Sequence, residues 1–374
     1  MKALISGAGI AGLATGIALR QAGVEVELFE RSPELSEIGA GLMIWPNGAR
    51  CLEALGVKVE ARTVRQMSMC TERGRKVSDI SLASVSEPYG FAPYFVHRAD
   101  LQAALAARMG VAAVHFGKDV SGFTQNAGAV ELILRDGSKV GGDLLVGADG
   151  LRSAVRRQLL GDGDPVFLGS TIWRGIADGD GFGLPPAGGI NWVGRGSEFL
   201  AFHLKGDRIY WAGVTKEPAG AKGGAGGHIG DLMERFGTWA DPVPLLIAAT
   251  DEAAILRNDM YDRPAATHWS GGCVTLVGDA AHPMTPNAAQ GACQALEDAV
   301  ALGDSIKRAS TLREAFELYE RRRLRRANRV VGLSRQGTRA AQIENGLLCA
   351  LRNRVGGMLA QRLFIRTSDW LFSG

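Results

Sequence analysis

Positions 2–6 form a short apolar run that breaks at Gly7-Ala8-Gly9-Ile10-Ala11-Gly12, and the residues that follow, Leu13 to Leu19, have helical spacing that fades near Gly23. Val24 to Phe29 then alternates apolar and acidic residues and closes at Glu30. The pattern predicts a strand, a glycine turn, a helix and a second strand with an acid at its end. Between about 63 and 140, strand-like runs alternate around a helical stretch, Arg98 to Leu105, and Leu144-Leu145-Val146-Gly147 reads as a further apolar strand. From 165 to about 260 the texture changes. Gly189 to Val193, Phe199 to Leu204 and Arg208 to Val214 are short runs separated by Gly, Asp and Pro, which predicts an antiparallel sheet walling a separate region. Gly220 to Gly227 reads as a flexible glycine-rich loop. Cys273 to Val277 returns to a strand leading into Gly278-Asp279, and the chain after residue 310 is helical and rich in arginine to its end.

A length of 374 residues predicts two domains, or one large domain with an insertion. With 46% hydrophobic and 22% charged residues, the composition is that of an ordinary globular chain. The net charge of +3 gives no reason to expect a nucleic-acid partner. The run Glu320-Arg321-Arg322-Arg323-Leu324-Arg325-Arg326 follows Glu314 and Glu317 on a helical stretch, which is the pattern of a solvated helix with i,i+4 pairs. The 51 glycines are about twice the usual share of ~7%. They point to tight turns and to backbone lying close to a ligand. Cys51, Cys70, Cys273, Cys293 and Cys349 are widely spaced without a CxxC, so neither a disulfide framework nor a zinc site is expected and a cytoplasmic location is. No apolar window is long enough to span a membrane, and the N-terminal run is too short for a secretory signal. Leu347 to Leu371 mixes Leu, Met, Phe and Trp370 with arginines; it can cover the main domain, form a dimer contact or rest on a membrane surface.

The glycine turn is where chemistry first enters. Gly7 makes a tight turn, Gly9 lets backbone approach a pyrophosphate, and Gly12 lets helix pack on strand. The helix N-terminus then presents free N–H groups to the phosphates. Glu30 stands 18 residues beyond Gly12, near the interval at which an acid reaches an adenosine ribose. This fingerprint predicts dinucleotide binding without separating FAD from NAD.

Two later motifs make that separation. Gly147-Ala148-Asp149-Gly150-Leu151-Arg152-Ser153 with Arg156, and Gly278-Asp279-Ala280-Ala281-His282-Pro283, each follow an apolar strand. With them the chain resembles the single-component FAD-dependent aromatic hydroxylases of the para-hydroxybenzoate hydroxylase type. Ile44-Trp45-Pro46-Asn47-Gly48, Ala253 to Arg257 with Tyr261-Asp262-Arg263, and Gly278 to Asp298 bring it nearest to the salicylate, urate and quinolone hydroxylases and zeaxanthin epoxidase. The resemblance implies an α/β fold: a Rossmann-like FAD-binding domain of the GR2 type carrying an inserted, mainly antiparallel substrate sheet, then a helical C-terminus. The expected division is 1–70, 95–165 and 266–330 for the FAD domain, 71–94 and 166–265 for the sheet, and 331–374 for the C-terminal helices.

By the same resemblance the FAD-binding set is Gly7, Gly9, Ala11, Gly12, Glu30, Arg31, Gly41, Met43, Arg98, Gln102, Val120, Asp149, Asp279, Pro286, Ala289, Gln290 and Gly291. Asp279 is expected on the ribityl chain, Arg98 nearby with Gln102 one turn on, and Val120 at the adenine end. Gly39 to Ile44 resembles a mobile segment beside the isoalloxazine ring. Asp149 is expected to hold its loop while Arg156 supplies positive charge, with a structural salt bridge as the rival reading. Pro283 to Gly291 is expected to open a helix whose N-terminus suits charge on the flavin. The family usually has Gly-Gln-Gly where this chain has Ala289-Gln290-Gly291, a methyl added where backbone should approach the ring.

What the resemblance implies is a monooxygenase in which NAD(P)H, bound transiently because no second GxGxxG is present, reduces FAD. O₂ then adds at C4a and the hydroperoxide transfers oxygen to an aromatic or heteroaromatic ring. Two alternatives stay open: epoxidation of an isoprenoid double bond, and a non-catalytic binding protein on the same fold. His203 and Tyr210 are the candidate catalytic residues on the predicted sheet, with Arg174 and Trp192 nearer its edge; packing is the competing reading for each. His282 is read as a structural, backbone-bonded histidine. Glu198 stands where urate-oxidising relatives carry an arginine, which disfavours urate. The expected partners are a small aromatic substrate and O₂, with a monomer or homodimer.

Overall fold

The computed structural model describes residues 1–35, 40–126, 128–179, 181–221, 224 and 226–373. Gly39, and Lys222, Gly223 and Ala225 of the glycine-rich loop, lie outside the described residues.

A six-stranded sheet forms the base of the FAD side, in the order Ser270–Gly271, Val274–Leu276, Leu144–Gly147, Lys2–Ser6, Glu25–Phe29, Val114–His115. Its pairings are parallel except that of Ser270–Gly271. The inner strands are apolar on both faces because helices cover them: Leu4, Ile5, Leu144, Leu145 and Val274 have no exposed surface. Helix α1 (Ile10–Gln21) follows the first strand, α2 (Arg98–Met109) follows the strand Tyr94–His97, and α3 (Ala154–Leu160) follows the strand Leu144–Gly147. Three helices complete the chain: α4 (Gly291–Arg308), α5 (Leu312–Ala341) and α6 (Gly346–Phe372).

The second body is a seven-stranded sheet, ordered Leu256–Asp262, Val166–Asp178, Arg208–Lys216, Glu198–His203, Gly188–Val193, Gln66–Thr71, Lys76–Ser81. It is antiparallel apart from the pairing of Gly188–Val193 with Gln66–Thr71. One face packs toward the FAD side through Phe202, Tyr210 and Ala212. The other has its own core, where Trp173, Trp192, Phe199 and Trp211 meet the short helices Gly227–Phe236 and Val243–Ala248.

Three expectations shift. The expected FAD-domain boundary at residue 70 cuts the strand Gln66–Thr71, which belongs to the larger sheet. The boundary at 330 falls inside α5, a single helix capped by Thr311, whose side chain accepts from the Glu314 amide. The helix expected from Pro283 starts at Gly291 instead. Pro286–Ala288 forms one 3₁₀ turn, and Ala289 at φ 48 turns the backbone left-handed before α4 can begin.

Candidate functional site

The site is built where the first strand, α1 and α4 converge. Gly7 adopts φ +100, a conformation open to glycine and strained for other residues, and its amide donates to the Phe29 carbonyl (2.8 Å). A Cβ at Gly12 would lie 1.9 Å from the Gly7 carbonyl oxygen, so the helix can enter this closely only without a side chain there. Neither α1 nor α4 has a side-chain cap, which leaves their first-turn N–H groups free for an anion. Gly278 wedges between them: a Cβ on it would meet Ala11 Cβ at 2.7 Å and Ala295 Cβ at 3.4 Å.

Glu30 reaches across the turn. Its carboxylate accepts from the Ala8 amide (2.8 Å) and from the Ser32 amide (3.0 Å), so it braces the glycine loop. Gln102 does the same from α2, donating to the Ala8 carbonyl (2.9 Å). Arg98, one turn earlier, stands 3.5 Å from Gln102 and faces Gly9, whose added Cβ would meet only the Arg98 guanidinium at 3.9 Å. Gly117 and Lys118, which lead into Val120, donate to the Ser32 and Glu30 carbonyls and bring that strand beside the acid. Arg31 is exposed at the end of its strand.

Asp279 is the informative residue. It is open to solvent, yet burial pushes its carboxyl above the usual range, against the pull of His282 and Arg98. Burial likewise lowers the Arg98 guanidinium, which Asp279 partly restores. The two opposed charges, two uncapped helix N-termini and a glycine turn fit the ribityl-diphosphate portion of FAD.

The loops that carry these groups are held by a buried scaffold. Asp149 accepts from the Ser153 hydroxyl (2.5 Å) and the Ala154 amide (2.8 Å), capping α3; it makes no pair with Arg156. Arg156 is fully buried and donates to the carbonyls of Ala280 (3.0 Å) and Ala281 (2.7 Å) and to Asp162 (2.7 Å). Its charge is therefore spent on clamping the Asp279 loop. His282 is bonded to the Asp298 carboxylate (2.5 Å) and not to backbone. Asp298 also accepts from the Gly278 amide (2.9 Å) and Arg323 (2.8 Å). Burial alone would raise Asp298; His282 and Arg323 hold it below the usual range. The chain pattern carries no sign that Asp162 is the acid paired with Arg156, nor of the role of Arg323, which is hidden in a run that otherwise reads as solvated.

The large sheet supplies the opposite wall. Phe202 stacks on Phe95 with centroids 3.6 Å apart, and a Cβ at Gly41 would strike the rings of Phe202 and Tyr210 at 2.6 Å. Strand alternation places Arg174, Ala212, Leu200 and Asn191 in one row on this face, with Tyr210 and Glu198 in the flanking rows. Arg174 bonds Asn258, and its Nε is buried without a partner. Glu198 accepts from Asn287 (2.8 Å), and burial pushes its carboxyl upward. Tyr210 is buried and its hydroxyl is pushed up by burial, so it is neutral at ordinary pH.

His203 is a correction. One position from Phe202, it points to the far face, where Nε2 meets the Leu184 carbonyl (3.3 Å); Trp192 is also in that far core. Gln290 turns its side chain into the protein, toward Asn47 (3.0 Å) and Gln294 (3.0 Å), so only its backbone is available to a ligand. Met43 is buried within the strand Gly41–Ile44, opposite Phe95 of the strand Tyr94–His97, Pro286 is exposed on its turn, and Ala289 is half-buried at the mouth of α4.

Comparison with known proteins agrees with this arrangement. A family described as FAD binding domain matches residues 1–163 and 253–334. The aurachin C monooxygenase/isomerase of Stigmatella aurantiaca is 36% identical over 364 residues, covering 96% of this chain and 94% of that protein. The 3-hydroxybenzoate 6-hydroxylase 1 of Aquipseudomonas alcaligenes is 33% identical, covering 99% and 96%. The crystal structure of Klebsiella pneumoniae HpxO complexed with FAD and uric acid superposes with a TM-score of 0.94 at 31% identity, covering 100% of this chain and 97% of that one.

Proposed function

Because the chain belongs to the FAD-dependent aromatic hydroxylase family of monooxygenases, we propose that it uses NAD(P)H and O₂ to hydroxylate a small or medium heteroaromatic compound bearing an N–H or O–H group. The observation that carries this reading is the convergence of the Gly7–Gly12 turn, two uncapped helix N-termini and the opposed charges of Arg98 and Asp279, with Arg174 of the large sheet near Arg98. There, the α1 N-terminus and the Gly7–Gly12 turn would take the diphosphate, Glu30 the adenosine ribose, and Arg98 and Asp279 the ribityl chain. The free amides at the start of α4 would face the ring system. Bound there, FAD supplies the redox and oxygen chemistry.

The protein's own work is to position the substrate and keep water out. Ala212 and Leu200 form an apolar floor for a ring. Arg174 at one side offers a donor, and the Glu198 carboxyl oxygen with the Asn191 amide oxygen at the other accepts. A neutral Tyr210 hydroxyl donates or accepts near the Gly41 strand. Burial favours the neutral form of the Glu198 carboxyl, and position 198 offers an anion no cation, so a neutral heterocycle suits this wall better than a urate-like or benzoate-like anion.

The test is NAD(P)H oxidation by the FAD-loaded protein across salicylate, 3-hydroxybenzoate, urate, hydroxypyridines and quinolones, with peroxide measured in parallel. Acceleration by a neutral heterocycle without stoichiometric peroxide supports the reading. Coupled turnover of urate or a benzoate in preference to every neutral ring sinks the substrate assignment.

A further inference from the structure

The last helix leaves an apolar face uncovered. On α6, Leu347 is 83% exposed, Met358 67%, Leu351 57% and Leu348 52%, and Val355 and Leu359 are exposed beside them. These six lie on one side of the helix over about 18 Å of its axis, at 1.5 Å per residue. Single exposed apolar side chains are ordinary, but a contiguous stripe of this length marks a surface that binds something. We propose that this face of α6 rests on an anionic membrane surface.

Charge selects the occupant. Arg354, Arg362 and Arg366 are exposed on the same side, and the helix carries a single acid, Asp369, already taken by the Tyr89 hydroxyl (2.9 Å). Apolar residues flanked by arginines suit insertion at the headgroup boundary, with the guanidinium groups on lipid phosphates. A second copy of the chain is a worse fit, because a two-fold contact through this face would set the three arginines against their equivalents without acids to answer them. No helix among the described residues is long and apolar enough to cross a membrane, so the helix lies on the surface.

The other side of α6 is fixed to the protein. A Cβ at Gly357 would come within 2.5 Å of the Val77 carbonyl oxygen, so the helix seats against the edge strand Lys76–Ser81. Farther along, Phe372 stacks on Trp45 with centroids 5.2 Å apart. Gly356 faces Met69, which stands at the end of the Arg174-to-Asn191 row. Lipid contact outside would therefore sit next to the ring-binding wall inside. The inference does not depend on the substrate proposed above.

The FAD-loaded protein is sedimented with sucrose-loaded vesicles of phosphatidylglycerol and phosphatidylcholine in equal parts, and with phosphatidylcholine alone. Binding to the anionic vesicles, weak binding to the neutral ones, and a drop of about a hundredfold in R354E/R362E/R366E are expected. L351E/M358E is expected to lose binding too, with flavin content and melting temperature unchanged in both variants. No binding to anionic vesicles, or binding that neither variant reduces, overturns the proposal. So does a dimer in light scattering that L351E/M358E splits into monomers, since the face would then belong to a second copy.

Discussion

At the scale of single residues, Asp279 and Ala289 carry the strain of function. A carboxyl whose folded pKa lies above its unfolded value is penalised once ionised, so Asp279 costs the FAD-free protein stability as pH rises through the carboxylate range, and nothing below it. Asp279→Asn should raise the melting temperature of the FAD-free protein at pH 7, with the gain fading near pH 3 to 4. It should weaken FAD by roughly 10- to 100-fold, the loss of a charge-assisted hydrogen bond of about 1.5–3 kcal/mol. Undiminished FAD affinity in a flavin titration would remove Asp279 from the ribityl contact. Ala289 holds φ 48, where a methyl costs about 1–2 kcal/mol relative to glycine. Glycine's extra freedom in the unfolded chain returns part of that. Ala289→Gly is therefore expected to stabilise by about 0.5–1 kcal/mol in chemical denaturation; destabilisation would mean the methyl packs usefully.

At the scale of elements, α4 and α5 are joined by buried charge. Arg323 donates to Asp298 and Glu297 and to the Gln294 side chain (2.8 Å), and Arg326 adds a second cation on Glu297 (2.6 Å). Burial alone would raise Glu297; Arg323 and Arg326 keep it below the usual range. Arg323→Met removes the buried cation shared by both carboxylates, leaving Arg326 on Glu297 and His282 on Asp298, and should cost about 3 kcal/mol, seen as a lower midpoint in urea. By contrast the exposed pair Arg313–Glu317 is worth about 0.3–0.5 kcal/mol, so Arg313→Ala should change little. The same network sets the Gly278 amide and His282 through Asp298, so Arg323→Met should also release FAD more readily. Cys51 and Cys293, both pushed up to about 12 by burial, are inert fillers in this region.

At the scale of the whole molecule, the site exists only because two bodies meet along one seam. Gly41, Phe95, Phe202 and Tyr210 form it, and the Asn287–Glu198 hydrogen bond ties the loop before α4 to the sheet. Gly41→Val puts a branched side chain into two rings and should cost about 1–3 kcal/mol while opening the site to water. The measurable signs are a lower melting temperature and more peroxide per NAD(P)H oxidised. A variant with unchanged melting and unchanged peroxide yield would show that the seam yields easily.

Local chemistry determined what was legible along the chain. The glycine turn, Glu30, the Asp149 and Gly278-Asp279 loops and the strand-to-helix order follow from short-range backbone requirements, so sequence alone sufficed for the FAD-side fold and for naming the loops proposed to hold the cofactor. Alternation marked the strands of the large sheet but not which side faced the site, and His203 fell on the wrong one by a single position. Tertiary structure alone decided that face, because only packing against Phe95 and the Gly41 strand distinguishes its two sides. It also decided that Arg156 and Arg323 are buried clamps, since an arginine in sequence does not declare its partners, and that the outer side of α6 is bare.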